Sequence, residues 1–170
     1  MVSDTSLSSL DLLWRRGKEF LGTDYAILGG AMTWVSERNL VSAISNAGGF
    51  GVIASGAMPP HLLYEEIRET QARTDKPFGV NLITLHPQLM ELIETCVKTN
   101  VSHVVLAGGL PPAHAIRCLK EKGIKTICFS PALIIAKKLL KLGVDALIIE
   151  GMEAGGHIGP VSTSVLVQEI

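Results

Sequence analysis

Apolar and polar positions along this chain alternate between two rhythms. Short, mainly apolar runs stand at 26–28, 50–53, 78–82, 103–106, 126–129 and 146–149, with starts 20 to 28 residues apart. Runs of that length bounded by turn residues read as strands buried on both faces. Between them the apolar spacing widens to the helical period. Leu89, Leu92, Ile93, Cys96 and Val97 form one stripe, and Ala132, Ile135, Ala136, Leu139 and Leu140 a second. Leu40, Val41, Ile44 and Ala47 give a shorter version. Prolines follow four of the strands (Pro59 and Pro60, Pro87, Pro111 and Pro112, Pro131), where a first helical turn tolerates a missing N–H. Gly48, Asn100, Gly123 and Gly143 stand just before the next strand, the place of a left-handed C-cap.

Strands alternating with helices predict a parallel sheet with helical crossovers. A doubly wound sheet would bring a glycine fingerprint after its first strand, and Gly29-Gly-Ala-Met-Thr-Trp34 does not have that spacing. Gly49-Phe-Gly-Val-Ile-Ala54 has it but leads into a strand instead of out of one. The steady rhythm, with glycine-rich or polar residues after nearly every strand, predicts an α/β TIM barrel with about six of its eight units present. Residues 1–24 read as an N-terminal lead-in with a short amphipathic piece near Leu10 to Trp14, and 25–170 as one C-terminally incomplete barrel domain. A six-stranded sheet has two open edges, which favour pairing with another chain and leave a homodimer open.

Composition narrows the class. Of 170 residues 47% are hydrophobic and the net charge is −1, yet no apolar run approaches the ~20 residues of a membrane span. The start, Met-Val-Ser-Asp-Thr-Ser, lacks the basic and apolar regions of a secretory signal. Cys96, Cys118 and Cys128 are odd in number and sit in apolar patterns, which predicts free thiols in a reducing cytoplasm. No basic cluster points to nucleic acid, and no Cys/His spacing points to a metal. The expected partner is a small molecule, with no membrane and no nucleic acid.

The strand ends carry the candidate chemistry. Glu150-Gly-Met-Glu-Ala-Gly-Gly-His-Ile-Gly159 crowds two acids, four glycines and a histidine into ten residues after the sixth strand. Glycines allow close backbone approach to a ligand, and His157 is a side chain able to give or take a proton. Asn81 lies inside the third strand, where it either satisfies a neighbouring backbone group or meets a ligand. Met32 and Trp34 are either core or rim. His61, His103 and His114 read as fillers of helices and strands, while His86 sits at a rim just before a helix-starting proline. Glu150 and Glu153 leave an acid/base pair open.

Four motifs together, Gly30-Ala-Met-Thr-Trp, Ser45-Asn-Ala-Gly-Gly-Phe-Gly-Val-Ile, Lys76-Pro-Phe-Gly-Val-Asn-Leu and the 150–159 loop, give the chain a resemblance from about Ala26 to Ile170. It resembles the FMN-dependent nitronate monooxygenases, once called 2-nitropropane dioxygenases, and the related flavin-dependent enoyl-ACP reductases. The resemblance implies a TIM barrel holding FMN at the carboxyl ends of its strands. By position it implies Ala31, Met32 and Thr33 against the flavin ring and Asn81 hydrogen-bonded to it. It implies Glu150, Gly155 and Gly156 lining the pocket, with His157 the catalytic base or hydrogen-bond donor. The loops after strands seven and eight, which hold the phosphate in such barrels, are not in this sequence. The 150–159 wording looks like the enoyl-ACP reductases, whereas Gly-Gly-Ala-Met-Thr departs from their Gln-Gly-Gly-Met-Ala form. The resemblance favours oxidation of alkyl nitronates by dioxygen to a carbonyl compound and nitrite. NAD(P)H-dependent enoyl-ACP reduction is the alternative, and a non-catalytic truncated barrel the second.

Overall fold

The structure, a computed structural model, describes residues 9–170. The six strands are β1 (Leu28–Gly29), β2 (Phe50–Ala54), β3 (Phe78–Ile83), β4 (His103–Ala107), β5 (Lys125–Ser130) and β6 (Ala146–Ile149). Helix α1 (Ser9–Leu21) precedes them, and α2 (Arg38–Asn46), α3 (Pro60–Gln71), α4 (Leu89–Lys98), α5 (Ala113–Glu121) and α6 (Leu133–Leu142) connect them in turn. Helix α7 (Thr163–Glu169) follows β6.

The strands pair in parallel in the order β1-β2-β3-β4-β5-β6. Sequential order without reversal keeps right-handed crossovers on one side of the sheet, so the sheet curls into part of a barrel with its helices outside. The predicted TIM-barrel architecture is borne out over these six units. Alternate strand residues serve two cores. Ile53, Val80, Leu82, Val104, Leu106 and Cys128 pack with the helices, and Phe50, Val52, Val105 and Ile127 form the inner core. Inside, Gly79 makes room for an aromatic ring, since a Cβ there would lie 2.9 Å from Cε1 of Phe50.

The punctuation read from the sequence has its physical counterpart. Gly48, Asn100, Gly123 and Gly143 all have positive φ, between 55° and 88°. Pro60 opens α3 as its first residue. The largest difference from the prediction is at β1, which is two residues long and begins at Leu28, not Ala26; β5 begins one residue earlier, and β2 to β5 each end one residue later. Helix α1 lies against this segment, because Gly17 packs so closely on Ala26 that an added Cβ would come within 2.7 Å of it.

The lead-in has a definite place from Ser9 onward, and its first eight residues lie outside the described ones. The end of α1 closes the amino-terminal mouth of the barrel. Leu21 joins the inner core with Phe20 against it. The Phe20 carbonyl accepts from His103 Nε2 at 2.9 Å and from the Lys125 ammonium. Because a carbonyl only accepts, Nε2 carries the proton and Nδ1 accepts from the Ser102 hydroxyl at 2.8 Å. Phe20 and Phe50 meet the His103 ring edge-on, at 5.2 and 4.8 Å between centroids. Burial holds this imidazole below its usual range.

Candidate active site

Six loops leave the carboxyl ends of the strands on one rim, opposite the mouth that α1 closes. The first is built around a serine. Ser36 is buried; its hydroxyl donates to the Gly30 carbonyl at 3.0 Å and accepts from Met32 N at 2.9 Å. Val35 N and Ser36 N both donate to the Met32 carbonyl, and Ala54 N donates to the Ser36 carbonyl. The turn is thereby fixed to the end of β2. At its apex Trp34 has φ +63°, a left-handed conformation that costs a bulky residue roughly 1–3 kcal/mol. Met32 and Trp34 are 51% and 68% exposed, so neither packs in the core of the described residues. Ala31 and Thr33 are exposed beside them.

Asn81 lies in β3 between Ala54 of β2 and Val105 of β4. It is buried, and its amide donates to the Val105 carbonyl over a long 3.4 Å. The Ser55 hydroxyl donates to the Asn81 carbonyl at 2.6 Å and holds the second loop against β3. Thr84, just past β3, is the one buried side-chain oxygen or nitrogen among the described residues without a hydrogen-bond partner. It sits under Gly108 and Gly109, where added Cβ atoms would lie 3.8 and 3.6 Å from its hydroxyl.

The sixth loop divides its glycines between two tasks. Gly151 and Gly159 form a neck: a Cβ on Gly159 would lie 1.7 Å from the Glu150 carbonyl oxygen, and one on Gly151 2.3 Å from Thr163 Oγ1. Gly159 N donates to the Gly151 carbonyl, and Met152 N to that of Val161. Gly155 and Gly156 are at the tip, with nothing within 4 Å of an added Cβ. His157 is exposed beside them. Glu150 is half-buried at the neck. Glu153 accepts from both N and Oγ1 of Thr163 at 2.8 Å, which ties the loop to α7 and lowers its pKa. That bonding gives Glu153 a structural task, apart from any acid/base pair with Glu150.

Ala31, Met32, Thr33, Asn81, Glu150, Gly155, Gly156 and His157 thus share one rim. The topology separates them within it, since β1 and β6 are the two edge strands. Among the described residues no hydrogen bond joins the first loop to the sixth. Ser36 was not singled out in the sequence, because a loop serine before a helix reads as a cap. A concavity of about 340 Å³ opens at the other end of the sheet between Thr74 and Ser102. Its walls are turns leading into β3 and β4, away from the rim loops, so the rim remains the candidate site.

Charge at the rim is lopsided. The loops 30–37, 55–59, 84–88, 108–112, 131–132 and 150–162 hold Glu37, Glu150 and Glu153 but no lysine or arginine. Among the described residues no His, Cys, Asp and Glu cluster could hold a metal ion.

A curled parallel sheet with glycine-tipped rim loops agrees with a family profile described as nitronate monooxygenase, which matches residues 15–170. The chain belongs to the nitronate monooxygenase family. The nitronate monooxygenase of Paraburkholderia phytofirmans is 29% identical over 177 residues, covering 82% of this chain and 48% of that protein. A Mycobacterium tuberculosis (3aS,4S,5R,7aS)-5-hydroxy-7a-methyl-1-oxo-octahydro-1H-indene-4-carboxyl-CoA dehydrogenase is 36% identical over 152 residues, covering 89% of this chain and 42% of that protein. Among solved structures, FabK from Thermotoga maritima superimposes with a TM-score of 0.86 at 43% identity, covering 89% of this chain and 49% of that one. The chain therefore spans about half the length of these relatives. Family and relatives are oxidoreductases.

The rim suits part of a flavin. Its open glycine tips, exposed Met32 and buried Asn81 amide fit a flat ring approached closely by backbone. A phosphate would find no lysine or arginine in these loops.

Proposed function

We propose that the whole protein is an FMN-dependent oxidoreductase that reduces the carbon–carbon double bond of an enoyl thioester. The observation that carries this reading is the rim itself, apolar at Met32, Trp34, Val35, Leu85, Leu110 and Ile158 and without a lysine or arginine in its loops. A neutral acyl chain gains from such a surface. A nitronate anion would meet glutamates and no lysine or arginine. The identity to FabK, an enoyl-ACP reductase, and to a carboxyl-CoA dehydrogenase points the same way.

In this reading Ala31, Met32, Thr33, Asn81, Gly155 and Gly156 hold the ring of FMN, with Glu150 at the pocket wall. FMN supplies hydride chemistry when bound. Asn81 orients the ring from the strand end. The glycine tip lets substrate lie close against backbone, and the apolar rim excludes water. His157 delivers the proton taken up by the α-carbon of the substrate. A compact domain without a membrane-length apolar helix suits a cytoplasmic enzyme.

The family profile and the 29% relative support a second reading, oxidation of alkyl nitronates. The two part under anaerobic mixing of the full-length flavoprotein. Bleaching by NADH or NADPH, reversed by a trans-2-enoyl thioester, is expected. Bleaching by propyl nitronate, with none by either nicotinamide, would return the assignment to nitronate oxidation.

A further inference from the structure

We propose that Trp34 is the specificity-determining wall that holds the alkyl chain of the substrate. The inference rests on the enoyl thioester reading and goes beyond it in naming the residue that reads chain length.

Three observations carry it. Trp34 and Asn100 are the two non-glycine residues with positive φ among those described, and Asn100 occupies a helix C-cap where asparagine is common. A tryptophan has no such licence, so its backbone is held there by its surroundings. The holding device is visible: the Ser36 hydroxyl and the Met32 carbonyl together take part in four hydrogen bonds across the turn. Finally, the strain does not serve packing, because the side chain is 68% exposed with Met32 and Val35 exposed on either side. Rim loops without lysine or arginine leave this surface suited to hydrocarbon and not to an anion.

The test uses the full-length flavoprotein with Trp14→Phe, and the spectrum of the same protein carrying Trp34→Phe as well is subtracted, so that the remaining indole emission is that of Trp34. Trp14 lies on α1 against Tyr25, away from the rim. Dodecanoyl-pantetheine is expected to quench and blue-shift the remaining indole emission in the FMN-loaded protein. Butyryl-pantetheine should do so weakly. An emission already shielded from acrylamide and unmoved by the dodecanoyl compound would overturn the proposal.

Kinetics give the second arm. Trp34→Gly should raise KM for a dodecenoyl thioester about tenfold or more, the scale of a lost apolar contact. KM for crotonyl thioester and kcat should stay nearly unchanged, and Trp34→Phe should recover most of the loss. Glycine accepts the left-handed backbone, so the thermal midpoint should hold or rise; a fall with equal losses on both substrates would make Trp34 merely structural and overturn the inference. If no thioester is reduced while the quench is still observed, the enoyl reading fails and the alkyl wall stands. If thioesters are reduced and no quench appears, the reverse holds.

Discussion

At the scale of single residues, the 150–159 loop separates groups that build a site from groups that would act in it. Gly159→Ala would place a Cβ 1.7 Å from a backbone oxygen, so this variant should lose folded protein or melt far lower. Gly155→Ala meets nothing within 4 Å and should fold normally while binding flavin less well. Thermal melts with flavin content measured on both variants check this contrast. His157→Ala should fold and keep its flavin, with turnover reduced by roughly 10²–10⁴, the range for a lost acid/base group. Normal turnover in that variant would remove His157 from the mechanism. His103 answers to pH in another way. Burial keeps it neutral when folded, whereas the unfolded chain protonates it near ~6.5. Stability is therefore full above that pH and falls as pH drops from there toward the folded value, by at most about 1.4 kcal/mol per unit. Urea midpoints at pH 7.5 and 5.5 should differ, less so in His103→Gln. The glycine loop was legible in the sequence because its composition was crowded. The division of its glycines was not, because neck and tip differ only in what lies opposite each Cα. Ser36 was silent for a similar reason: its partners at Gly30 and Met32 matter through loop geometry that spacing alone does not encode.

Elements were more legible than residues, because each left a periodic stripe and a stop signal. Asn100 and Gly143 ended helices where the left-handed cap requires them. Helix α7 begins after Ser162, its N-cap. The hidden part is how helices are joined. Arg38, the first residue of α2, gives its backbone N–H and two guanidinium nitrogens to Glu66 of α3, the latter at 3.0 and 2.6 Å. Glu66 is almost fully buried, while the Arg38 side chain keeps 28% exposure. Nothing in the spacing of 28 residues announced the pair. Glu66→Ala leaves Arg38 able to turn toward water, so the loss should be about 1.5–3 kcal/mol, the scale of hydrogen bonds to a charged group. Chemical denaturation of the variant measures it; a loss below about 0.5 kcal/mol would make the pair an ordinary surface bridge.

At the scale of the molecule, six units in sequential parallel order are what the strand rhythm predicted, and the curl follows from that order. Substrate class was less legible, because the motifs are shared between nitronate and enoyl enzymes; the charge of the rim separates them only once the loops are gathered at one end. The full-length protein should be yellow and release FMN on denaturation. Residues 1–170 alone should hold FMN far more weakly, since each missing charged contact to phosphate costs ~1.5–3 kcal/mol. Equal affinity of the two for FMN, by fluorescence titration, would show that the rim loops bind phosphate without lysine or arginine.

The carbonyl of Phe20 has a consequence for the order in which the chain becomes structured. Its two donors lie 83 and 105 residues further along. A ribosome adding about 5–20 residues per second needs on the order of 5–20 s to cover the longer gap. For that interval α1 has been synthesised but the seat of its end is incomplete, with Phe20 and Leu21 open to chaperones and proteases. Nascent chains halted before His103 should be cut within α1 by a protease, and chains extended past Lys125 should resist. A helix made early is thus among the last to be placed.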